Sequence, residues 1–137
     1  MGKQICLDTG LITLLYSKDT PQPIKQLFNN IKEKKIEAHV LSPIIAEAFY
    51  HICKIEGKVA AETKIATFLN TYPVKLVNLN QSLIIKAGLL KYQRSKILSY
   101  NDCFALAYAL NKKLTFHTTE KELKQILPNL KLTTYIF

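Results

Sequence analysis

Short apolar segments alternate with longer amphipathic segments along the 137 residues of this chain. The apolar segments have the length and β-branched content of buried strands, whereas the segments between them repeat apolar residues at helical spacing. The predicted strands are QICL, IEAHVL, VKLVNL, KLTFHT and KLTTYIF. Strands that alternate with helices form a parallel sheet covered on both faces. The sequence therefore predicts an α/β fold, a three-layer sandwich whose central sheet is mostly parallel and roughly five-stranded.

Local signals divide the helices that lie between these strands. Ser42 and Pro43 predict an N-cap and a first-turn proline, which start the helix after the second strand. Gly57 separates this helix from the next one, and Pro73 ends that second helix. Ser99 is expected to cap a strongly apolar helix before the fourth strand. No linker or repeat interrupts the series, so we predict a single domain over residues 1–137.

The bulk composition excludes several classes of protein. Hydrophobic residues make up 48% of the chain, too many for an intrinsically disordered protein. No uninterrupted apolar run approaches the length of a transmembrane helix, so we expect no membrane association. The three cysteines, Cys6, Cys53 and Cys103, are widely spaced among apolar neighbours. They are typical of reduced core residues, which predicts a cytoplasmic protein.

The chain is strongly basic, with 19 Lys and Arg against 10 Asp and Glu and a net charge of +9. Such a balance favours an acidic partner, of which nucleic acid is the commonest, although a lysine-rich surface also serves solubility. Only Arg94 is an arginine. Because lysine lacks the planar fork that reads bases, the composition favours phosphate attraction over base recognition.

Asp8 directly follows the first predicted strand. The carboxyl ends of strands in an open parallel sheet are where ligand sites gather. Aspartate is also a favoured N-cap, and a helix is predicted to begin at Thr9. A ligand site and a helix cap are therefore both open for Asp8.

Two further carboxylates lie on apolar faces of predicted helices. Glu47 shares a face with Ile44, and Asp102 shares one with Ala105 and Leu106. A buried carboxylate is costly unless it is paired or binds a metal ion. A buried ion pair or a helix-end cap is an alternative for each, and Asp102 has the position of a first-turn acid.

A fourth acidic position follows the strand KLTFHT, where Glu120 and Glu122 stand in the segment HTTEKEL. The alternative here is a capping-box-like helix start with Thr118 or Thr119 as the cap. Acids at one edge of a parallel sheet can converge, and a hard divalent cation such as Mg²⁺ or Mn²⁺ relieves their mutual repulsion.

Four segments, ICLDTGLI, LSPIIAEAFY, LSYNDCFALAYAL and TFHTTEKEL, follow one another in an order and spacing that resembles the PIN-domain family. The resemblance covers nearly the whole chain, and its first and third segments are the more specific. This family consists of metal-dependent ribonucleases and includes many toxins of bacterial and archaeal toxin–antitoxin pairs. The resemblance implies a PIN-like fold and hydrolysis of RNA phosphodiester bonds by water that a Mg²⁺ or Mn²⁺ ion activates.

The resemblance also assigns roles to individual residues. It implies that the acidic catalytic and metal-binding residues are Asp8, Glu47 and Asp102, with Glu120 in the fourth position and Glu122 as the alternative there. We place the substrate-binding residues beside them, namely Thr9, Asn101, Lys91, Arg94 and Lys96. We expect His117 to be a strand residue and not a ligand.

The resemblance thus implies a metal-dependent endoribonuclease, with RNA as its substrate. An antitoxin protein and a second copy of the chain are both open as partners. The alternative is a PIN-like module that binds RNA or a partner without cutting, because glutamate replaces the family's usual aspartate in the fourth segment. Other α/β phosphotransfer proteins fit poorly, since the third predicted strand ends in asparagines and the first is followed by Asp8-Thr9-Gly10 instead of an Asp-x-Asp run. The four glycines form neither a P-loop nor a GxGxxG motif, which argues against a nucleotide-binding loop.

Overall fold

The computed structural model describes residues 3–94 and 96–137. These residues form five strands, namely β1 (Lys3–Leu7), β2 (Ile36–Leu41), β3 (Lys75–Val77), β4 (Thr115–Thr118) and β5 (Leu132–Thr134). They also form seven helices, namely α1 (Thr9–Leu15), α2 (Gln22–Lys32), α3 (Ser42–Glu56), α4 (Lys58–Thr71), α5 (Gln81–Gln93), α6 (Tyr100–Lys112) and α7 (Leu123–Ile126).

The five strands form one sheet in the order β3-β2-β1-β4-β5, and every neighbouring pair is parallel. The register places Ile5 of β1 opposite Ala38 of β2 and Thr115 of β4. The strand order reverses beside β1, because the chain runs outward to β3 and then returns to β4 on the other side. Such a reversal leaves a crevice at the carboxyl ends of β1 and β4, where ligands bind in open α/β sheets.

The helices cover both faces of the sheet, which confirms the predicted three-layer α/β architecture. Parallel crossovers are right-handed, so the reversal in strand order places α1 to α4 on one face and α5 to α7 on the other. The packing agrees, since α1 contacts α2 and α3, α3 contacts α4, and α5 contacts α6. Every helix among the described residues is too short or too polar to span a lipid bilayer.

The hydrophobic pattern of the sequence accounts for the core. On α2, four apolar residues at helical spacing are buried together: Ile24, Leu27, Phe28 and Ile31. The central strand β1 is buried over Ile5, Cys6 and Leu7 without alternation, as expected for a strand covered on both faces. The three cysteines are free, and Cys6 and Cys103 lie in the core.

Local corrections concern one helix start and the two edge strands. Ser42 is the first residue of α3 and not its N-cap, because the extended Leu41 occupies the cap position without a side-chain hydrogen bond. Ser99 does cap α6, as predicted. The third and fifth strands have only three residues each, fewer than the segments VKLVNL and KLTTYIF suggest, and both lie at the edges of the sheet.

Candidate active site

Asp8 lies at the carboxyl end of β1, beside the strand-order reversal. Its backbone N–H donates to the carbonyl of His117 at 3.0 Å, which continues the β1–β4 pairing by one residue. Its Oδ1 accepts a hydrogen bond from the Thr9 N–H at 2.8 Å, and its Oδ2 accepts one from the Thr118 hydroxyl at 2.7 Å. Asp8 is the N-cap of α1 and also stands at the carboxyl end of the central strand β1. The helix cap and the candidate ligand position predicted for this residue are therefore the same position.

The environment of Asp8 opposes its charge. The residue is only 8% exposed, and burial is the largest influence that raises its pKa from 3.8 to about 6. The hydrogen bonds from Thr118 and Thr9 lower this pKa, whereas the nearby charges of Asp102 and Glu120 raise it. Of the ion pairs that the described residues form, none includes any of these three carboxylates. Within that part of the chain, Asp8 is therefore a buried acid beside other acids, without a cationic partner.

A cleft of about 210 Å³ brings four of the predicted acids together. Its acidic lining consists of Asp8, Asp102, Glu120 and Glu122. The remaining walls are apolar and come from the α5–α6 connection, α6, β4 and α7: Ile97, Leu98, Leu106, Phe116, Leu123 and Ile126. We call this cavity the acidic cleft.

Asp102 reaches the acidic cleft from the first turn of α6. Its Oδ2 accepts a hydrogen bond from the Ser99 N–H at 3.2 Å, and the Ser99 hydroxyl accepts one from the Asp102 N–H at 3.1 Å. This reciprocal pair is a capping box, so the capping alternative for Asp102 is confirmed. The cap directs the carboxylate without isolating it, because Asp102 also lines the acidic cleft.

Glu120 and Glu122 lie in the turn between β4 and α7, and both are exposed. The helix begins only at Leu123, so Thr118 and Thr119 do not cap it. Instead the Thr118 hydroxyl accepts a hydrogen bond from the Glu120 N–H at 3.0 Å while it donates to Asp8. Glu120 also acts on the pKa of Asp8, which favours it over Glu122 for the fourth acidic position.

Glu47 stands apart from the acidic cleft but is connected to it through Thr9. Its Oε1 accepts hydrogen bonds from the Thr9 hydroxyl at 3.2 Å and from Asn101 Nδ2 at 3.3 Å. Its Oε2 lies 3.8 Å from His51 Nε2, one helical turn further along α3. Thr9 thus contacts both Asp8 and Glu47, and Asn101 ties α6 to α3 beside them.

The predicted basic residues occupy two different places. Lys91 Nζ donates to the carbonyl of Leu98 at 2.7 Å and lies 5.2 Å from the centroid of the Tyr100 ring, so it joins α5 to the start of α6. Arg94 and Lys96 are exposed and line a neighbouring groove of about 490 Å³.

His117 is a buried residue of β4, as the sequence predicts. Its Nδ1 is 2.8 Å from the Tyr135 hydroxyl, and its Nε2 is buried without a hydrogen-bond partner among the described residues. Burial, together with the charge of Lys3, lowers its pKa to about 4, so the ring is neutral at pH 7. It does not line the acidic cleft.

The donor chemistry of the acidic cleft fits a hard divalent cation, because its polar side chains are carboxylates and none of them forms an ion pair among the described residues. Within residues 3–94 and 96–137, however, no three His, Cys, Asp or Glu side chains are arranged as ligands of one ion.

Sequence reasoning misses the role of Thr118, for which it offers only a helix cap. The signal is a hydroxyl residue at the end of β4, the strand that pairs with β1. Gly10 is missed as well, although a Cβ atom there would come within 2.9 Å of Thr119 Oγ1. This close approach holds the start of α1 against the segment that carries Glu120.

An open parallel sheet with acids gathered at its strand-order reversal places the candidate site at the carboxyl ends of β1 and β4, where α/β domains bind their ligands. A family model for the PIN domain matches residues 5–126, and the chain belongs to this family. A search of curated protein sequences gave no match.

Solved structures show the same fold at low sequence identity. VapBC2 from Rickettsia felis, solved with a promoter DNA fragment, is 21% identical with a TM-score of 0.78, covering 97% of this chain and 99% of that chain. VapC20 from Mycobacterium tuberculosis, a Sarcin-Ricin loop cleaving toxin, is 16% identical with a TM-score of 0.74, covering 90% and 95%. DNA-bound VapBC from Salmonella typhimurium is 18% identical with a TM-score of 0.71, covering 99% and 100%.

Proposed function

We propose that this PIN-domain protein is a Mg²⁺- or Mn²⁺-dependent endoribonuclease that hydrolyses RNA phosphodiester bonds at the acidic cleft. The observation that carries the proposal is the buried Asp8 carboxylate, which has Asp102 and Glu120 as neighbours and no cationic partner among the described residues. Buried acids without a compensating charge destabilise a fold, so a cleft that gathers them is a candidate site for a cationic ligand. A divalent cation is the ligand that relieves the repulsion.

Asp8, Asp102 and Glu120 are the residues that would hold the cation, with Glu122 as the alternative to Glu120. A bound divalent cation supplies Lewis-acid stabilisation of the phosphoryl oxygens during hydrolysis. Asp8 is fixed for this task, because Thr9 and Thr118 each hold one of its oxygens. Glu47, held by Thr9 and Asn101, extends the acidic wall towards α3.

Cleavage of single-stranded RNA with Mn²⁺ or Mg²⁺, with and without EDTA, tests the proposal. The key variant is Asp8→Asn, which keeps the shape of the side chain and removes its charge. Asp19→Asn is the matched control, because Asp19 is an exposed turn residue outside the acidic cleft. We expect metal-dependent cutting by the wild type and the control and none by Asp8→Asn. Equal cutting by all three proteins would contradict the acidic site.

The alternative function is a PIN module that binds RNA or a partner without hydrolysis. The observation in its favour is that the described residues offer no three preformed ligands for one ion. Thermal unfolding with and without Mn²⁺ separates the two functions, since a ligand that binds only the folded state raises the melting temperature. A rise for the wild type that is absent in Asp8→Asn supports the nuclease, whereas no rise supports the module.

We further propose that the protein acts as the toxin of a toxin–antitoxin pair, with an antitoxin protein as its partner. The support is that the solved structures of similar fold include VapBC complexes and a Sarcin-Ricin loop cleaving toxin. A homodimer stays a prediction from the sequence. Expression of the unpaired chain is expected to slow growth, and Asp102→Asn is expected to abolish the effect while it keeps a cap-forming side chain at α6. An undiminished growth defect in this variant would contradict a nuclease-based toxin.

A further inference from the structure

A second cavity adjoins the acidic cleft. It is a groove of about 490 Å³ formed where the end of α5, the α5–α6 connection and α7 meet. Its lining residues are Gln93, Arg94, Lys96, Ile97, Gln125 and Ile126. Ile97 and Ile126 also line the acidic cleft, so the two cavities share a wall. We call this second cavity the basic groove.

The two cavities differ in charge in a way that suits a continuous polyanion. Counting only the residues that the structure describes, the acidic cleft is lined by four carboxylates and no basic residue, whereas the basic groove is lined by Arg94 and Lys96 and no carboxylate. A nucleic acid cut at the acidic cleft must place its next phosphates outside that cleft, because the acids repel every phosphate that no cation bridges. The adjoining groove offers the opposite charge.

The size and remaining chemistry of the basic groove suit a nucleotide. Ligand pockets of about 300–1,000 Å³ accommodate small molecules, and the groove falls within this range. Gln93 and Gln125 provide exposed amides, which both donate and accept hydrogen bonds. Ile97 is 61% exposed on the wall between the two cavities, where it offers an apolar surface to a base. Arg94 is the only arginine of the chain, and its planar group pairs with phosphate oxygens or stacks on bases.

We infer that the basic groove is the subsite for the single-stranded RNA segment that adjoins the scissile phosphate. Arg94 and Lys96 bind the backbone phosphates of this segment, and Ile97 separates the flanking base from the acidic cleft. The inference rests on the proposed ribonuclease function, because that function places the scissile phosphate in the acidic cleft and the adjoining RNA segment outside it. Arg94 and Lys96 belong to this subsite. Lys91 lies outside it and donates a hydrogen bond to the carbonyl of Leu98.

The experiment has a binding arm that does not depend on cleavage. Fluorescence anisotropy in EDTA measures the Kd for a single-stranded RNA of about 12 nucleotides, a length within the range that small binding domains cover. The variant is the double substitution Arg94→Gln and Lys96→Gln. The matched control is Lys25→Gln and Lys32→Gln, which removes the same charge from exposed positions on α2, on the opposite face of the sheet.

We expect the groove variant to bind RNA about tenfold more weakly than the control. The slope of log Kd against log salt concentration should fall by about 0.7 for each phosphate that the variant no longer neutralises. Equal Kd values for the groove variant and the control would overturn the inference. This result would leave the proposed function intact as long as the wild type still cuts RNA in Mn²⁺.

The cleavage arm locates the groove relative to the cut. Removal of an interaction made equally in the ground state and the transition state raises KM and leaves kcat unchanged. We therefore expect a higher KM for the groove variant on long RNA. Shortening the RNA on one side of the cut should abolish the difference between variant and control, whereas shortening on the other side should not. A difference that persists after shortening on either side would contradict a groove occupied by flanking RNA.

Absence of cleavage by the wild type would instead contradict the proposed function, and the binding measurement in EDTA would still test the basic groove.

Discussion

The Thr118 hydroxyl donates a hydrogen bond of 2.7 Å to Oδ2 of Asp8, although 110 positions separate the two residues. The neighbouring strands β1 and β4 bring them together, since both residues stand at carboxyl ends in the paired register. The same hydroxyl accepts a hydrogen bond from the Glu120 N–H at 3.0 Å. One side chain therefore connects the most buried acid of the site with the turn that carries the fourth acidic position.

Replacing Thr118 by valine tests this connection. Valine has the same shape but cannot donate to Asp8 or accept from Glu120. Because the hydrogen bond favours the charged carboxylate, its removal should raise the pKa of Asp8 further. We expect a loss of about 1–3 kcal/mol in the free energy of unfolding at pH 7, measured by urea denaturation in EDTA. Thr118→Ser, which keeps the hydroxyl, should lose much less, and equal losses for the two variants would assign the effect to packing.

The pKa of Asp8 predicts an unusual stabilising substitution. Its pKa is about 6 in the folded protein against 3.8 ordinarily, so its contribution to stability is present below pH 3.8 and is lost as the pH rises through about 6. Asp8→Asn should therefore stabilise the metal-free protein at pH 8 by about 1–3 kcal/mol, since one pKa unit corresponds to about 1.4 kcal/mol. At pH 4 most of this gain should be lost, because Asp8 is then protonated in the folded protein and about half protonated in the unfolded chain. Urea denaturation in EDTA at both pH values measures the difference.

His117, a second buried group, changes the stability of the protein with pH in the opposite direction over a similar pH range. The pKa of His117 is lowered to about 4, so its stabilising contribution is present above pH 6.5 and is lost as the pH falls towards 4. The wild type and Asp8→Asn both retain His117, and the difference between them isolates Asp8. A gain that is the same at pH 4 and pH 8 would contradict the raised pKa.

Asn101 is expected to position Glu47, because its Nδ2 donates to Glu47 Oε1 at 3.3 Å. Asn101→Asp is nearly isosteric but places a second carboxylate against Glu47. We expect Asn101→Asp to reduce kcat more than Asn101→Ala, by about tenfold, a difference of about 1.4 kcal/mol in the activation free energy. The pH profile of the Asp variant should recover towards low pH, where one of the two acids is protonated. Equal losses in both variants, confined to KM, would instead indicate a direct substrate contact.

Gly10 is expected to tolerate alanine poorly although it lies within a helix. An added Cβ would come within 2.9 Å of Thr119 Oγ1, closer than side chains approach. The strain of overpacking, about 1–3 kcal/mol, should exceed the gain of about 1 kcal/mol in helix propensity. Gly10→Ala should therefore unfold at lower urea concentration and cut RNA more slowly. Adding Thr119→Ala removes the obstructing atom and should restore both properties, and a double variant no better than the single one would exclude this contact as the cause.

The fold was predictable because the hydrophobic pattern of each segment is local. The apolar stripe of α2 and the unbroken apolar run of β1 identify a helix and a buried strand without tertiary information. Boundaries were less predictable where neighbours decide them. Ser42 lies inside α3 because the extended Leu41 takes the cap position, and the edge strands β3 and β5 are shorter than their apolar segments.

The acids Asp8 and Asp102 of the candidate site could be picked out from the sequence, but the hydrogen bonds that hold the site together could not. Asp8 and Asp102 stand out because a carboxylate is costly at an apolar strand end or on an apolar helical face. Which oxygen each donor holds follows from side chains that meet only in the folded chain. Thr118 reaches Asp8 across two strands, and Asn101 reaches Glu47 across two helices.

The sequence by itself determined the class of fold and placed Asp8 and Glu120 just beyond the ends of strands, because the alternation of strands and helices follows from local hydrophobic and capping preferences. Only the tertiary structure decided that Glu120 acts on Asp8, that Lys91 joins α5 to α6, and that a basic groove adjoins the acidic cleft. The physical reason is that burial, charge coupling and shared cavity walls depend on distances between residues far apart in the chain. Those distances exist only once the helices have packed on the sheet.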